Sequence, residues 1–211
     1  LTRAAGDDAV RQRLTFWGTL ALMRCVSSSP AAAAQALRTR MRTGQAVESD
    51  EDLDDKLFDG ASDHLPDDDL EPAVATDDSG LQGLVEKAER LAGLRGDPKL
   101  ALLVGHLTQL LADGFNPVVF CRYVATAHYL HEHLTRTFRD ASIEIVTGEF
   151  PTEERLARVE ALAQRTRRLL VTTDCLSEGV NLQHGHDAVV HYDLSWNPTR
   201  HEQREGRVDR F

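Results

Sequence analysis

The second half of the chain alternates short apolar runs with stretches of helical periodicity. Four apolar runs lie at 117–121, 143–146, 168–173 and 187–193. Apolar residues spaced by three or four positions predict helices over 124–138, 152–164 and 198–210. Short apolar strands that alternate with helices are typical of a parallel, doubly wound α/β sheet. Such a sheet binds its ligands at the carboxyl ends of the strands.

The third apolar run brings polar groups to that edge. Thr172 and Thr173 end the run, and the loop DCLSEGVNLQ (174–183) follows them. Small hydroxyls and unpaired backbone amides at a strand end suit contacts with phosphate. Gly179 permits a tight turn, and Asn181 offers an amide that can reach a ribose or a neighbouring loop. The alternative interpretation is an ordinary strand-to-loop transition built from turn residues.

The last predicted helix carries arginines at helical spacing. Gln203, Arg207 and Arg210 fall on one face of a helix that runs over 198–210. A guanidinium is always charged, and its fork of donors matches phosphate oxygens. Gly206 would let a ligand or another backbone approach closely. The sequence therefore predicts a phosphate-gripping face, with a solvated arginine-bearing face as the alternative.

Helices also precede the sheet. Apolar spacing predicts them over 9–26, from Pro30 to about residue 42, over 81–91 and over 98–112. A serine N-cap followed by Pro30 begins the second of these helices. Asp97-Pro98 begins the fourth, and Asp113-Gly114 ends it.

The acidity of the chain is confined to one segment. Residues 48–80 hold 14 acidic side chains and a single base, Lys56, within a total net charge of −10. The remainder of the chain is slightly basic, so a nucleic-acid-binding patch stays possible. We interpret residues 48–80 as a disordered linker or insert. A second interpretation is an acidic segment that mimics nucleic acid and covers a basic groove.

The cysteine and histidine positions disfavour metal centres. Cys25, Cys121 and Cys175 form no CxxC pair, which argues against a disulfide framework or a zinc ribbon and fits a reducing cytoplasm. The histidines at 128, 131 and 133 do not share one helix face, so no metal site is predicted. No apolar run reaches the roughly 20 residues of a membrane helix, and we expect a cytoplasmic protein without a membrane partner.

Three motifs, in order and on a matching strand–helix frame, resemble those of a known family. VVFCRY (118–123) resembles helicase motif IV, TTDCLSEGVNLQ (172–183) motif V and QREGRVDR (203–210) motif VI. The chain resembles the second RecA-like lobe of superfamily 2 helicases, in particular the Snf2/HepA-like group. The resemblance implies a three-layer RecA-like α/β fold. Residues 1–47 would be a helical extension, 48–80 the insert, and 81–211 the lobe, with the motif match starting near residue 97.

The resemblance implies a role for each motif residue. Arg207 and Arg210 would be arginine fingers that reach the γ-phosphate of ATP held by a first lobe. The nucleotide side of the cleft between lobes would hold Glu178, Gly179, Asn181 and Gln203. The nucleic-acid backbone would lie against Arg122, Thr172 and Thr173.

The residues that bind ATP phosphates in such motors are absent from this sequence. No GxxxxGK[ST] loop occurs, and the dipeptide Gly-Lys never occurs. The resemblance therefore implies that a separate N-terminal lobe holds ATP and Mg²⁺, that this chain is a fragment, and that alone it is inactive. We expect nucleic acid, and DNA in particular, as the second partner. The alternative is a non-catalytic RecA-like module that binds nucleic acid or protein.

Overall fold

The computed structural model describes residues 19–43, 78–177, 181–195 and 197–209. These residues fall into two compact units, 19–43 with 78–91, and 92–209. Most of the predicted acidic segment, residues 48–77, lies outside the described residues, as do Glu178, Gly179 and Arg210. Within the described ranges, no helix is both long and apolar enough to cross a membrane.

The first unit is helical. Helical residues 19–28 precede α1 (Pro30–Thr43), and α2 spans Asp78–Arg90, so it begins inside the predicted insert. The Ser29 hydroxyl accepts a hydrogen bond from Ala32 N, which confirms the predicted serine cap. The helices share an apolar core made of Ala33, Ala34, Leu37, Leu81, Val85 and Ala88. Arg38 also donates a side-chain hydrogen bond to Glu89.

The second unit is a four-stranded parallel sheet with helices. Its elements are α3 (Pro98–Ala112), β1 (Pro117–Phe120), α4 (Val124–Thr137), β2 (Ser142–Val146), α5 (Thr152–Ala163), β3 (Arg168–Thr172), a 3₁₀ turn (Asp174–Ser177), β4 (Ala188–His191) and α6 (Pro198–Glu205). The strand order is β2-β3-β1-β4, and each neighbouring pair is parallel. The predicted parallel α/β sheet is therefore confirmed.

Both faces of the central strands are covered. Val118, Phe120 and Leu170 pack with Val159 and Leu162 of α5 in one apolar cluster. Because strand side chains alternate between faces, the intervening residues point the other way. These residues, Val119, Leu169 and Val171, are also fully buried. Burial on two sides explains why the strands read as continuous apolar runs.

The four strands end at one level. Phe120 of β1 pairs with Thr172 of β3 and with His191 of β4, and Thr172 also pairs with Val146 of β2. Each of these residues is the last of its strand. The residues that follow them therefore emerge along one line, which we call the carboxyl edge.

The last helix is shorter than the sequence predicts. It ends at Glu205, and Gly206 caps it by donating to Glu202 O at 2.8 Å. Val208 N then bonds Glu205 O, three residues back, and the Val208 side chain is buried. Because the chain tightens to bring Val208 into the core, the regular helical face does not continue past Gly206. The predicted helix over 198–210 therefore ends at Glu205 in the described residues. The face predicted for Gln203, Arg207 and Arg210 stays a prediction, since Arg210 lies outside those residues.

Gly206 has a backbone carbonyl beside it. A Cβ at this position would lie 3.2 Å from Glu202 O. The close approach is thus made by the carbonyl of the preceding helical turn. Its φ of −61° is ordinary for any residue, so tight packing at the helix end, rather than unusual backbone geometry, favours glycine here.

His186 joins the loop before β4 to the start of β1. Its side chain is buried, and Nδ1 lies 3.1 Å from Asn116 O. The carbonyl can only accept, so Nδ1 carries the proton. Burial lowers the pKa of His186 to about 4, with Arg168 adding to the shift and the Asn116 bond and Asp187 opposing it.

We expect this histidine to make the fold acid-sensitive. Below the ordinary imidazole pKa near 6.5, the unfolded chain takes up a proton that the folded chain refuses until about pH 4. Stability is therefore lost as pH falls through this window, by about 3 kcal/mol. His186→Asn keeps an amide donor near Nδ1 without titrating, and its urea-unfolding free energy should fall less. Equal pH slopes for the two proteins would contradict this prediction.

Candidate functional site

A buried arginine holds α6 against the carboxyl edge through an ion pair. Arg204 is only 3% exposed, and it donates to Asp174 through Nε at 2.6 Å and Nη2 at 2.9 Å. Arg200 Nη1 donates to the same carboxylate at 3.2 Å. Two parallel hydrogen bonds make this a bidentate pair, the strongest geometry for arginine and carboxylate. The pair holds the C-terminal turn of α6 against the residue that follows Thr173.

Asp193 is the second anchor of this edge. One carboxylate oxygen accepts from Lys99 Nζ at 2.7 Å, and the other accepts from Arg122 N at 2.9 Å. Its backbone carbonyl accepts from Arg204 Nη1 at 3.1 Å. Asp193 thus joins α3, the end of β1 and α6. Basic side chains pair with both aspartates at this edge. The two carboxylates therefore serve to position neighbouring residues.

Arg122 is presented to the surface by these contacts. Asp193 holds its backbone, while its side chain is exposed and lies 5.6 Å from the centre of the Tyr123 ring. Within the part of the chain that the structure describes, the Arg122 guanidinium forms no ion pair. A fixed backbone with an exposed guanidinium is suited to binding an anion.

The two predicted threonines differ in what their hydroxyls do. Both side chains are fully buried. Thr172 Oγ1 lies 2.7 Å from Val146 O, so its single proton is used within the sheet. Thr173 Oγ1 has no hydrogen-bond partner among the described residues. Of the two, only Thr173 keeps a donor for another molecule, and motion of its surroundings would have to expose it.

The structure brings the residues that follow Asn181 against the segment that holds Arg207. Leu182 N donates to Arg207 O at 3.1 Å, and Gln183 Nε2 donates to Asp209 O at 2.6 Å. Asn181 Oδ1 accepts from Gln183 N at 2.9 Å, which forms a tight turn and leaves the exposed amide nitrogen. The motif V loop and the motif VI segment are therefore neighbours in the fold.

Four predicted site residues remain, of which one lies on α6 and three lie outside the described residues. Gln203 lies on α6 with its side chain exposed. Glu178, Gly179 and Arg210 lie outside the described residues. In the described part of the chain, no group of three His, Cys, Asp or Glu side chains could hold a metal ion.

The sequence motifs gave no role to the residues whose contacts hold the site together. Arg204 sits inside QREGRVDR but received no role, and neither did Asp174, Asp193 or Lys99. One signal was available: Asp174 and Asp193 each follow an apolar strand, so parallel pairing had to bring them to one edge. Two carboxylates at one buried edge need basic partners, and Arg204 was the candidate next to Gln203.

Comparison with known proteins covers the same part of the chain. Residues 99–211, more than half of the chain, match the family model described as helicase conserved C-terminal domain. The ATP-dependent RNA helicase uap56 of Schizosaccharomyces pombe is 34% identical over 98 residues, 46% of this chain and 22% of that protein. DEAD-box ATP-dependent RNA helicase 15 of Arabidopsis thaliana is 31% identical over 131 residues, 62% of this chain and 29% of that protein.

A solved structure supports the architecture. The C-terminal part of the Fun30 ATPase domain superposes with a TM-score of 0.55 at 16% identity, over 89% of this chain and 61% of that one. This likeness concerns the fold alone, and it agrees with the predicted RecA-like α/β fold. The chain spans less than a third of the length of the two curated relatives described above.

Proposed function

Because the chain belongs to the helicase conserved C-terminal domain family, we propose that it is the second motor lobe of an ATP-dependent superfamily 2 helicase or translocase. One observation carries the proposal. The carboxyl edge presents Arg122, while the segment after α6 presents Arg207, and Asp193 with Arg204 joins the two places. Arg122, which is suited to binding an anion, is thereby linked to Arg207 within one compact unit.

Arg207 would act on ATP held by a first lobe. Its backbone is fixed by Leu182 N and by the burial of Val208, so its half-buried side chain leaves the fold from a defined place. A guanidinium aimed at the γ-phosphate stabilises charge as the phosphoryl group transfers. Asn181 and Gln203 would border the nucleotide on this lobe. Arg210 would be the second finger, and Glu178 and Gly179 would lie on the same side of the cleft.

Arg122 and Thr173 would contact the nucleic-acid backbone. The exposed guanidinium of Arg122 supplies charge, and the uncommitted hydroxyl of Thr173 supplies a donor. Thr172 would support this surface through its bond to Val146 O. Contacts of this kind go to phosphates and position the strand without reading its bases.

Closure of the two lobes on ATP would move the nucleic-acid contacts. Arg204 bonds both Asp174, next to Thr173, and Asp193, which holds Arg122. A shift of the arginine-bearing segment would therefore pass to both phosphate contacts through short hydrogen bonds. In this way, the free energy of ATP binding that closes the lobes would drive motion along the nucleic-acid strand.

We propose DNA as the track and a Snf2-like translocase as the subgroup, since the motif VI sequence QREGRVDR resembles that group. RNA is the second candidate, because the two curated relatives described above are named RNA helicases. ATP turnover of the full-length protein with duplex DNA, single-stranded DNA or RNA decides between them. Stimulation by RNA alone would overturn the DNA proposal. We also propose a cytoplasmic location.

Arg122→Ala is expected to weaken nucleic-acid binding at every sequence tested. Losing one phosphate contact should reduce the slope of log affinity against log salt by about one unit. Fluorescence anisotropy of the full-length protein over a salt series measures both quantities. The matched control is Arg136→Ala, an exposed arginine of α4 paired with Glu132. Equal slopes for the two variants would contradict the assignment of Arg122.

A further inference from the structure

One arginine of α5 bonds two segments that follow different strands. Arg155 Nε donates to Phe150 O at 2.7 Å, and Arg155 Nη1 donates to Cys175 O at 3.1 Å. Phe150 belongs to residues 147–151 after β2, which we call the β2 loop, and Cys175 belongs to the 3₁₀ turn after β3. Because β2 and β3 are parallel neighbours, this side chain joins two adjacent parts of the carboxyl edge.

The two bonds use donors that point in different directions. Arg204 binds one carboxylate with Nε and Nη2, whose N–H bonds run parallel. Arg155 uses Nε and Nη1 instead, so its rigid planar group reaches two separate carbonyls. A lysine ammonium is a point charge on a flexible stem and would not fix the distance between these acceptors. The bridge therefore requires a guanidinium.

Arg155 forms no ion pair within the ranges that the structure describes. Its two printed acceptors are neutral carbonyls, and its side chain is half-buried. The neighbouring Arg158 differs, since it pairs with Glu144 and Glu154 and lies 4.1 Å from the centre of the Phe150 ring. Both arginines thus hold the β2 loop, but the bond to the 3₁₀ turn comes from Arg155.

The 3₁₀ turn is held from two sides. Arg204 of α6 bonds the carboxylate of Asp174, and Arg155 of α5 bonds the carbonyl of the next residue, Cys175. Thr173, whose buried hydroxyl has no partner among the described residues, directly precedes this turn. A chain of short contacts therefore runs from α6 through the turn to the β2 loop.

We propose that Arg155 is a positioning residue that makes the 3₁₀ turn and the β2 loop move as one part. It acts through the turn next to Thr173. The inference rests on the proposed motor function, because lobe closure is the event that would shift α6. With Arg155 in place, a shift of α6 passes through Asp174 and Cys175 to Phe150. Without it, the turn and the phosphate contact beside it are held from α6 alone.

The bridge itself can be tested in the 211-residue chain. Arg155→Met keeps an unbranched side chain but removes every donor, so the backbone ¹³C shifts of the Phe150 and Cys175 carbonyls should both change. Arg158→Met is the matched control from the same helix, and it should leave the Cys175 carbonyl shift as in the wild type. An unchanged Cys175 shift in Arg155→Met would overturn the proposal.

A measurement on the wild type keeps the proposal falsifiable if Arg155→Met fails to fold. The Nε hydrogen of Arg155 is committed to Phe150 O, whereas Arg136 is exposed and pairs with Glu132 through Nη2. The Arg155 Nε hydrogen should therefore exchange with solvent more slowly than that of Arg136. Equal exchange rates would contradict the bridge.

Turnover of the full-length protein tests the positioning role. The ratio of kcat with nucleic acid to kcat without it should fall about tenfold in Arg155→Met, a size typical of coupling between two sites. A merely structural role would lower both rates together and keep their ratio. Arg158→Met should keep the wild-type ratio, and Arg155→Lys should recover little of the loss.

The outcomes separate this inference from the proposed function. A wild-type ratio in Arg155→Met would overturn the positioning role while leaving the motor function in place. Absence of any ATP turnover in the wild type would instead contradict the motor function. In that case, the carbonyl shifts still decide whether Arg155 joins the two segments.

Discussion

Arg207→Ala in the full-length protein is expected to lower nucleic-acid-stimulated ATP turnover by about 10³–10⁵-fold. The loss should appear in kcat, because an arginine that meets the γ-phosphate stabilises the transition state more than bound ATP. The fold should persist, since the substitution keeps the backbone carbonyl of Arg207 that accepts from Leu182 N. Steady-state turnover at saturating ATP and nucleic acid measures the effect.

Two further variants make this result specific. Arg207→Lys keeps the charge but loses the planar fork, so it should recover little activity. Arg136→Ala removes an exposed arginine from α4 and should leave turnover unchanged. Nucleic-acid affinity without nucleotide should be the same in all three proteins. Full turnover by Arg207→Ala would remove the finger assignment and favour a non-catalytic binding module.

Arg204→Ala is expected to destabilise the fold by about 3–5 kcal/mol. Among the described residues, the change leaves Asp174, whose side chain is 15% exposed, with only the longer contact from Arg200. An ionised carboxylate without its main partner is costly to bury. Urea unfolding of the 211-residue chain, followed by circular dichroism, gives the free energy of unfolding.

A paired replacement separates the ion pair from simple loss of packing. Arg204→Met combined with Asp174→Leu removes both charges at similar volume, so it should recover much of the stability lost by Arg204→Ala. Arg136→Ala, which breaks an exposed pair, should cost no more than about 1 kcal/mol. If the double variant were as unstable as the single one, the aspartate would not be the source of the cost.

Local patterns in the sequence were sufficient to predict the sheet and the first residues of two helices. Ser29 and Asp97 each precede a proline, and each accepts hydrogen bonding from the first turn of its helix. Continuous apolar runs predicted strands buried on both sides. These features depend on neighbours a few residues apart, which is why periodicity and capping chemistry reveal them.

Other features depend on residues far apart in the chain. The periodicity around Gly206 could not show that Val208 belongs to the core, so the helix was extended too far. Nothing local distinguishes Thr172 from Thr173, because the difference lies in the position of Val146 O on a neighbouring strand. Arg204 is important because two strand ends place Asp174 and Asp193 beside it. No pattern local to Arg204 shows those neighbours.

The composition of α6 has a consequence for how such a protein can diversify. Its one buried side chain is a charged one, Arg204, and the apolar anchor, Val208, comes after the helix has ended. Exposed positions such as Thr199 and Glu202 can therefore change without altering the volume of the core. Natural variation can therefore change this surface while the sheet beneath it is inherited unchanged.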